Sequence, residues 1–229
     1  MSRILCLETS TKNCSVALTD GEKLLSLRED GSDGYTHAEK LNLFIEEVLK
    51  DAGFGYADLN AVAVSEGPGS YTGLRIGVST AKGLAYALGI ELIAINPLEA
   101  MATQVADENP ETLLIPMIDA RRMEVFCAGF SGSGEPIFPT KAEILQEDSF
   151  PEAEGFEQIL FFGDGASKAQ GCFGERKFEF TEGIEASAKG MMSLSAKKLE
   201  MRRVENVAYF EPFYLKDFIA TKPKNKVIK

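Results

Sequence analysis

The chain has 229 residues, 45% of them apolar and 26% charged, enough for one large lobe or two smaller ones with a packed core. No apolar run approaches the roughly 20 residues that span a bilayer, and the run from Ile4 to Leu7 is too short for a signal-peptide core, so a cytoplasmic protein is expected. A net charge of −11 argues against a free-standing nucleic-acid binder.

Residues 3–7 read as a short apolar strand. "CSVALTDG" and "KLLSLRED" read as two more, joined by a tight turn at Asp20-Gly21, and "GSDGYT" breaks the pattern. A helix is predicted from about Thr36 to Ala52, with Gly53 as its stop. Leu41, Phe44, Ile45, Val48 and Ala52 recur at spacings of three and four and line one face of it. Leu43 points the opposite way, among Glu39, Glu46, Glu47 and Lys50. "LNAVAVSEG" reads as a buried strand, followed by a loop and a helix bearing glycines, then the strand "IELIAI", then a helix from about Pro97. "TLLIPMID", "MEVFCAGF" and "EPIFP" repeat the three-strand opening. "QILFFGDG" and an amphipathic helix from Ser187 to about Arg202 follow. Two stretches that each open with a three-strand meander predict an α/β chain with two lobes. That is the ribonuclease-H-like duplication of the actin, Hsp70 and sugar-kinase class, each lobe a mixed sheet flanked by helices. Residues 1–97 are expected to form the first lobe and 98–229 the second. The tail "TKPKNKVIK", with four lysines in nine residues, reads as a solvated end.

An interior helical glycine costs roughly 1 kcal/mol against alanine, so Gly73, Gly77 and Gly83 in one helix need an offset. At about 100° per residue, Gly73, Gly77, Thr80, Ala81, Gly83 and Ala87 fall on one broad side, Leu74, Val78 and Ala85 lie to its flank, and Arg75, Lys82 and Tyr86 face away. A stripe of small residues lets another backbone come close. That backbone belongs either to this chain or to another subunit. The preceding loop has no Gly-Lys pair, and Thr72 stands where a dinucleotide fingerprint begun at Gly67 and Gly69 needs its third glycine. A tight strand-to-helix turn capped by Ser70 or Thr72 is the simpler reading.

Asp119 in "IDARRMEVF" either accepts hydrogen bonds from the arginines that follow, Arg121 and Arg122, or sits where a kinase lobe holds its metal-binding aspartate. "FGDGAS", with Gly163 and Gly165, resembles a nucleotide-base turn. With Glu8, Thr9 and Ser10 these are the candidate nucleotide contacts. His37 is the one histidine, which rules out a histidine pair for a metal, and it reads as a packing or capping residue. Cys6, Cys14, Cys127 and Cys172 form no Cys-x-x-Cys and read as reduced, partly buried thiols. No catalytic or metal-binding residue is assigned.

As a set, "LCLETSTKNCSVAL", "HAEKL", "VAVSEGPGSYTGLRIGVSTAKGLAYALGIELIAINPLEAMA" and "DARRMEVF" resemble the TsaB (YeaZ) family, densely over residues 3–130 and thinly beyond. The resemblance implies an accessory subunit of the bacterial tRNA threonylcarbamoyladenosine system, paralogous to the transferase TsaD. In TsaD the strand after the glycine helix leads into Asn-His-x-x-x-His, whose histidines hold the active-site metal. The matching run here is Asn96-Pro97-Leu98-Glu99-Ala100-Met101. Proline has no side-chain donor, and a thioether is a poor ligand for such a site.

The resemblance therefore implies a chain that is not itself an enzyme. It would pair with TsaD through the 36–52 helix and the glycine helix, with Leu43, Tyr71, Gly73, Gly77, Thr80, Ala81, Gly83 and Ala87 as contacts. The complex would transfer threonylcarbamoyl to the adenosine beside the tRNA anticodon. The ATPase TsaE would be a third member, tRNA would be met through the complex, and the same face would form homodimers. No tightly bound cofactor is implied, and ATP or ADP only at a complex interface. The alternative is a nucleotide-binding enzyme of the actin and sugar-kinase class acting alone.

Overall fold

Apolar residues alternate along β1 (Arg3–Glu8). Ile4 and Cys6 face one core, Leu5 and Leu7 the other, and all four are fully buried. A strand buried on both faces needs a layer on each side. β1 is accordingly the middle strand of a five-stranded sheet with order β3-β2-β1-β4-β5. β2 (Cys14–Asp20) runs antiparallel to β1, and β3 (Lys23–Asp30) antiparallel to β2. β4 (Ala61–Ser65) and β5 (Glu91–Ile95) continue the sheet in parallel. The computed structural model describes residues 2–31, 36–106, 109, 111–173 and 178–216. The basic tail from 221 to 229 and the middle of "GSDGYT" lie outside the described residues.

The two crossovers are α1 (His37–Ala52) and α2 (Tyr71–Leu88), and both cover the Leu5/Leu7 face. α1 ends where the sequence predicts. Gly53 is left-handed (φ 75°), and Phe54 N returns to Leu49 O at 3.0 Å. Ser70 caps α2, its hydroxyl accepting from Gly73 N at 3.2 Å.

A second sheet, ordered β10-β9-β6-β7-β8, repeats the first strand for strand. β6 (Thr112–Asp119), β7 (Glu124–Ser131) and β8 (Pro136–Ile144) form the meander, and β9 (Gln158–Phe162) and β10 (Glu179–Thr181) add in parallel. The two-lobed duplication expected from the sequence is therefore present. β10 is not among the predicted strands, and β8 runs beyond "EPIFP". Where the first lobe has α1 and α2, the described residues of the second have only short 3₁₀ turns at Pro151–Ala153 and Ala166–Ala169. Phe138, Phe150, Phe161, Phe173 and Phe178 fill that face, with neighbouring ring centroids 4.6 to 6.2 Å apart. The opposite face is covered by α3 (Pro97–Ala102), whose Leu98 and Met101 pack on Leu114, Ile118 and Phe162.

The first sheet ends with β5 at Ile95, and the later chain does not stay in the second lobe. The helix expected from Ser187 to Arg202 is a 3₁₀ turn, Ala188–Met191, followed by α4 (Met192–Glu200). Ala188 and Met191 pack with Ile4, Cys6, Ala63 and Ile93, on the face of the first sheet that α1 and α2 leave bare. Beyond α4, Glu205 N donates to Leu92 O at 2.8 Å, so the segment pairs with the open edge of β5. Lys82 Nζ donates to Phe210 O at 2.7 Å, and Phe213 N donates to Glu66 O at 2.7 Å. Lys216 then reaches Glu124 of the second lobe. The physical reason for the return is that the first sheet has a second apolar face, which Ala100 of α3 covers only in part, and an edge at β5 with which the late segment pairs.

The thiols behave as expected from their sequence context. Cys6, Cys14 and Cys127 are buried, Cys172 is half-buried, and all four are free. Burial pushes the first three up to about 12, so they stay protonated and inert.

Candidate partner interface and interlobe cleft

β1 ends at Glu8 and the chain runs on through Thr9 and Ser10, and all three residues are fully buried. They are buried because α2 and its leading loop close directly over them. Ser70 N donates to Ser10 O at 2.6 Å, and Thr9 Oγ1 donates to Gly73 O at 2.8 Å. A side chain at Gly69 would overlap Ser10 O. One at Gly73 would overlap Thr9 O, and one at Gly77 would overlap Thr9 Oγ1. This contact offsets the cost of two of the three helical glycines, since only a residue without a Cβ lets the two backbones approach this closely.

Several expected partner contacts are thereby corrected. Gly73 and Gly77 face the chain's own β1–β2 turn, and Ala81 is fully buried in the first core. Thr80 is half-buried. Tyr71 is also half-buried, with the Arg75 guanidinium 4.1 Å above its ring and the Tyr214 ring 4.9 Å away. Arg75 Nε donates to Tyr214 Oη at 3.2 Å, so the returning segment caps this end of the helix.

The outward surface of α2 is a different stripe: Thr72, Arg75, Ser79, Gly83, Tyr86 and Ala87, all exposed. Nothing lies within 4 Å of where a Cβ on Gly83 would sit, and Tyr86 is 83% exposed. Leu43 on α1 is 50% exposed. α1 and α2 touch one another over the same sheet face, so their outer surfaces adjoin. Leu43, Gly83 and Ala87, named in the sequence as partner contacts, are thus exposed. Tyr86, read from the sequence as pointing away, joins them. The signal for this stripe is the three-and-four spacing of residues 72, 75, 79, 83 and 86. It was hidden because small residues occur on both sides of the helix.

The candidate nucleotide contacts are arranged differently from the expectation. Glu8 Oε1 accepts from Ser10 N at 2.6 Å. Burial raises the Glu8 carboxyl above its ordinary range, opposed by hydrogen bonds from Ser10, Ser65 and Thr9. A nucleotide reaches Glu8, Thr9 or Ser10 only if α2 and its loop lift away. His37 is a packing residue, as expected: it is buried, and its Nε2 donates to Thr11 O at 2.8 Å. Burial lowers its pKa and keeps the ring neutral.

In the second lobe Asp119 accepts from Arg121 N at 2.5 Å and from Lys168 Nζ at 2.5 Å. The first of the two readings for Asp119 therefore applies through an arginine's backbone amide. Asp164 Oδ1 accepts from Asp119 N at 3.0 Å. Desolvation raises the Asp164 carboxyl, the charges of Asp119 and Glu185 add to that rise, and Lys12 of the first lobe opposes it. Gly163 is left-handed (φ 100°), and a Cβ there would overlap Met117 O. A Cβ on Gly165 would lie 2.9 Å from the Ile118 carbonyl carbon. Both glycines serve the close packing of this turn on β6.

The residues that the resemblance aligns with a metal site do not fit one. Asn96 Oδ1 accepts from Leu98 N at 2.9 Å and caps α3, Pro97 opens the helix, and Met101 is fully buried against apolar neighbours. Among the described residues no group of three or more His, Cys, Asp or Glu side chains could hold a metal ion. No described helix is long and apolar enough to cross a membrane.

Comparison with known proteins gives this geometry a family. Residues 34–224 match the family described as TsaD, tRNA N6-adenosine threonylcarbamoyltransferase. The tRNA threonylcarbamoyladenosine biosynthesis protein TsaB of Escherichia coli K12 is 28% identical over 234 residues, covering 96% of this chain and 97% of that one. The protein of the same name from Bacillus subtilis 168 is 31% identical over 174 residues, 72% of each chain. The solved structure of YeaZ from Pseudomonas aeruginosa superposes with a TM-score of 0.81 at 24% identity, covering 94% of this chain and all of that one, and so shares the fold. The chain therefore belongs to the TsaB family of tRNA threonylcarbamoyladenosine biosynthesis proteins, within the wider group described by TsaD.

Proposed function

We propose that this chain is a non-catalytic subunit that pairs with a TsaD-type transferase through the outer faces of α1 and α2, and supports transfer of threonylcarbamoyl to the adenosine beside the tRNA anticodon. The observation that carries this reading is the outer stripe of α2 beside Leu43. Its centre, Gly83 and Ala87, is small, and its rim, Leu43 and Tyr86, is large and apolar. A flat centre admits another helix closely, and exposed aromatic side chains supply anchor area. The inner faces of both helices are used up by the first core, so the outer faces are what remains for a partner.

Donor chemistry supports the non-catalytic role. Pro97 and Met101 stand where the transferase family has histidines, and both are packed into the core at the root of α3. The transfer chemistry is left to the partner. ATP or ADP binds only at a complex interface, a TsaE-type ATPase is the third member, and tRNA is engaged through the assembly. The isolated chain forms a homodimer with the same face.

Co-expression with the TsaD of the same organism tests the reading. The two chains should co-elute, and a Leu43→Asp, Gly83→Trp double variant should elute alone while melting like the parent. A double variant that still co-elutes sinks the interface. A parent chain that never co-elutes sinks the subunit role.

A further inference from the structure

Four described non-glycine residues have left-handed backbone, and three are arginines: Arg121 (φ 70°), Arg122 (φ 51°) and Arg202 (φ 53°). Glycine or asparagine takes such positions at least cost. A long charged side chain kept there directs attention to what the side chain does. Arg121 and Arg122 stand together at the exposed tip of the β6–β7 hairpin, which is closed by Ala120 N to Glu124 O at 3.1 Å and Glu124 N to Arg121 O at 3.2 Å.

The charges around this tip do not cancel the arginines. Lys168 sits on Asp119, Lys216 on Glu124, and Lys12 bears on Asp164. Asp119 and Glu124, the carboxylates that flank the hairpin tip, are thus already matched by lysines. Asp119 takes the backbone amide of Arg121, leaving the guanidinium to other uses. Among the described residues no ion pair or hydrogen bond engages either guanidinium. Two uncompensated positive charges therefore share one hairpin tip, in a chain whose net charge is −11.

We propose that the Arg121–Arg122 tip is a phosphate-binding site for a polynucleotide backbone. Guanidinium forks match phosphate oxygens in a bidentate geometry, which an ammonium does not. A backbone is favoured over a free nucleotide because the tip is exposed, with Met123 47% exposed beside it, while the neighbouring turn at Gly163–Gly165 is filled by β6. The choice of tRNA as the polynucleotide rests on the subunit role proposed above.

The test is fluorescence anisotropy of a labelled tRNA transcript across a salt series. It is run on the full chain alone and on its complex with the transferase. The double variant Arg121→Asn, Arg122→Asn keeps a residue that tolerates left-handed backbone and removes both charges. Its slope of log affinity against log salt should be shallower by about 1.4, or about 0.7 for each single-strand phosphate contact, while its melting temperature rises. Arg121→Lys with Arg122→Lys should retain most of the slope. Arg202→Asn relieves the same kind of backbone strain and should leave the slope unchanged.

An unchanged slope in the asparagine double variant overturns the proposal, as does no tRNA binding by either preparation at low salt. An equal slope loss in Arg202→Asn also overturns it, since the effect would then be general charge. Arginine-dependent binding of ATP or pyrophosphate without a tRNA effect reassigns the tip to a free nucleotide. Equal competition by polyglutamate overturns phosphate recognition. A chain that fails to co-elute with the transferase but shows the slope loss sinks the subunit role alone. One that co-elutes with an unchanged slope sinks this proposal alone.

Discussion

The two lobes are built on one strand order and finished with different materials. In the first, the two crossovers are helices of 16 and 18 residues, α1 and α2. In the second, the described residues of the same two crossovers carry only 3₁₀ turns of three and four residues, and phenylalanines fill the space instead. A helix has two sides. One can bury itself in a core while the other meets a partner. An aromatic cluster drawn from strands and loops is consumed by the packing it makes. The lobe with two long helices therefore has helix faces to offer a partner, while in the other lobe the matching sheet face is closed by side chains and what stands free is the hairpin tip at Arg121 and Arg122.

The largest expected effect probes the second lobe. Phe161→Ala removes a ring whose centroid lies 4.7 to 5.5 Å from those of Phe150, Phe173, Phe178 and Phe180. It should cost about 3–5 kcal/mol in denaturant unfolding. Co-elution with a TsaD-type partner should survive wherever the variant remains folded. Lost co-elution from a folded Phe161→Ala chain would show that the second lobe also contributes to the interface.

Next is the contrast inside α2. Gly77→Val forces a side chain onto Thr9 and should cost about 1–3 kcal/mol in the isolated chain. Gly83→Val meets open space and should stay within about 0.5 kcal/mol of the parent. Equal melting shifts at the two positions would erase the distinction between inner and outer glycines. Smaller still in the isolated chain, and visible only on binding, are Tyr86→Ala and Leu43→Asp. Each should weaken partner affinity about tenfold, or about 1.4 kcal/mol, with an unchanged melting temperature. Calorimetric titration with the transferase reads this directly.

The smallest effect is the pH dependence at the end of β1. The folded Glu8 carboxyl is raised above its unfolded value of about 4.3, because burial disfavours its charge. The native state then holds that proton more tightly than the unfolded chain does. Stability falls as pH rises from the unfolded value through the folded one, and the cost is fully present above the folded value. Glu8→Gln should melt higher than the parent at neutral pH, and the gap should close as pH approaches 4. A gap that widens toward acid would reverse the assigned sign.

Much of the first lobe was legible because its signals are local. The apolar run at residues 4–7, the glycine stop at 53 and the serine cap at 70 each act within a few residues, and each holds in the structure. Pro97 and Met101 were singled out by the resemblance, and the structure places both at α3, Pro97 as its first residue and Met101 in the core. The orientation of α2 was not legible. Periodicity divides a helix into faces without naming what each face meets, and Gly73, Gly77, Gly83 and Ala87 are alike in composition. Thr9 decides between them, and Thr9 is 64 residues from Gly73 in sequence. The return of residues 188–213 was hidden for the same reason. An amphipathic helix announces that it will pack, and only the bare face of a distant sheet fixes where. The second lobe was legible in its meander and blurred beyond it, because β10 is three residues long and its neighbouring crossovers are loops.

The return of the late chain has a consequence for biosynthesis. β5 is translated about a hundred residues before Glu205, which pairs with its edge, and Ala188 and Met191 reach the Ile4/Cys6 face equally late. Domains ordinarily fold from the N-terminus as they emerge from the ribosome. Here the lobe made first is finished last. Until residue 213 has cleared the exit tunnel, the nascent chain carries an unsealed sheet edge and an apolar face that is only partly covered.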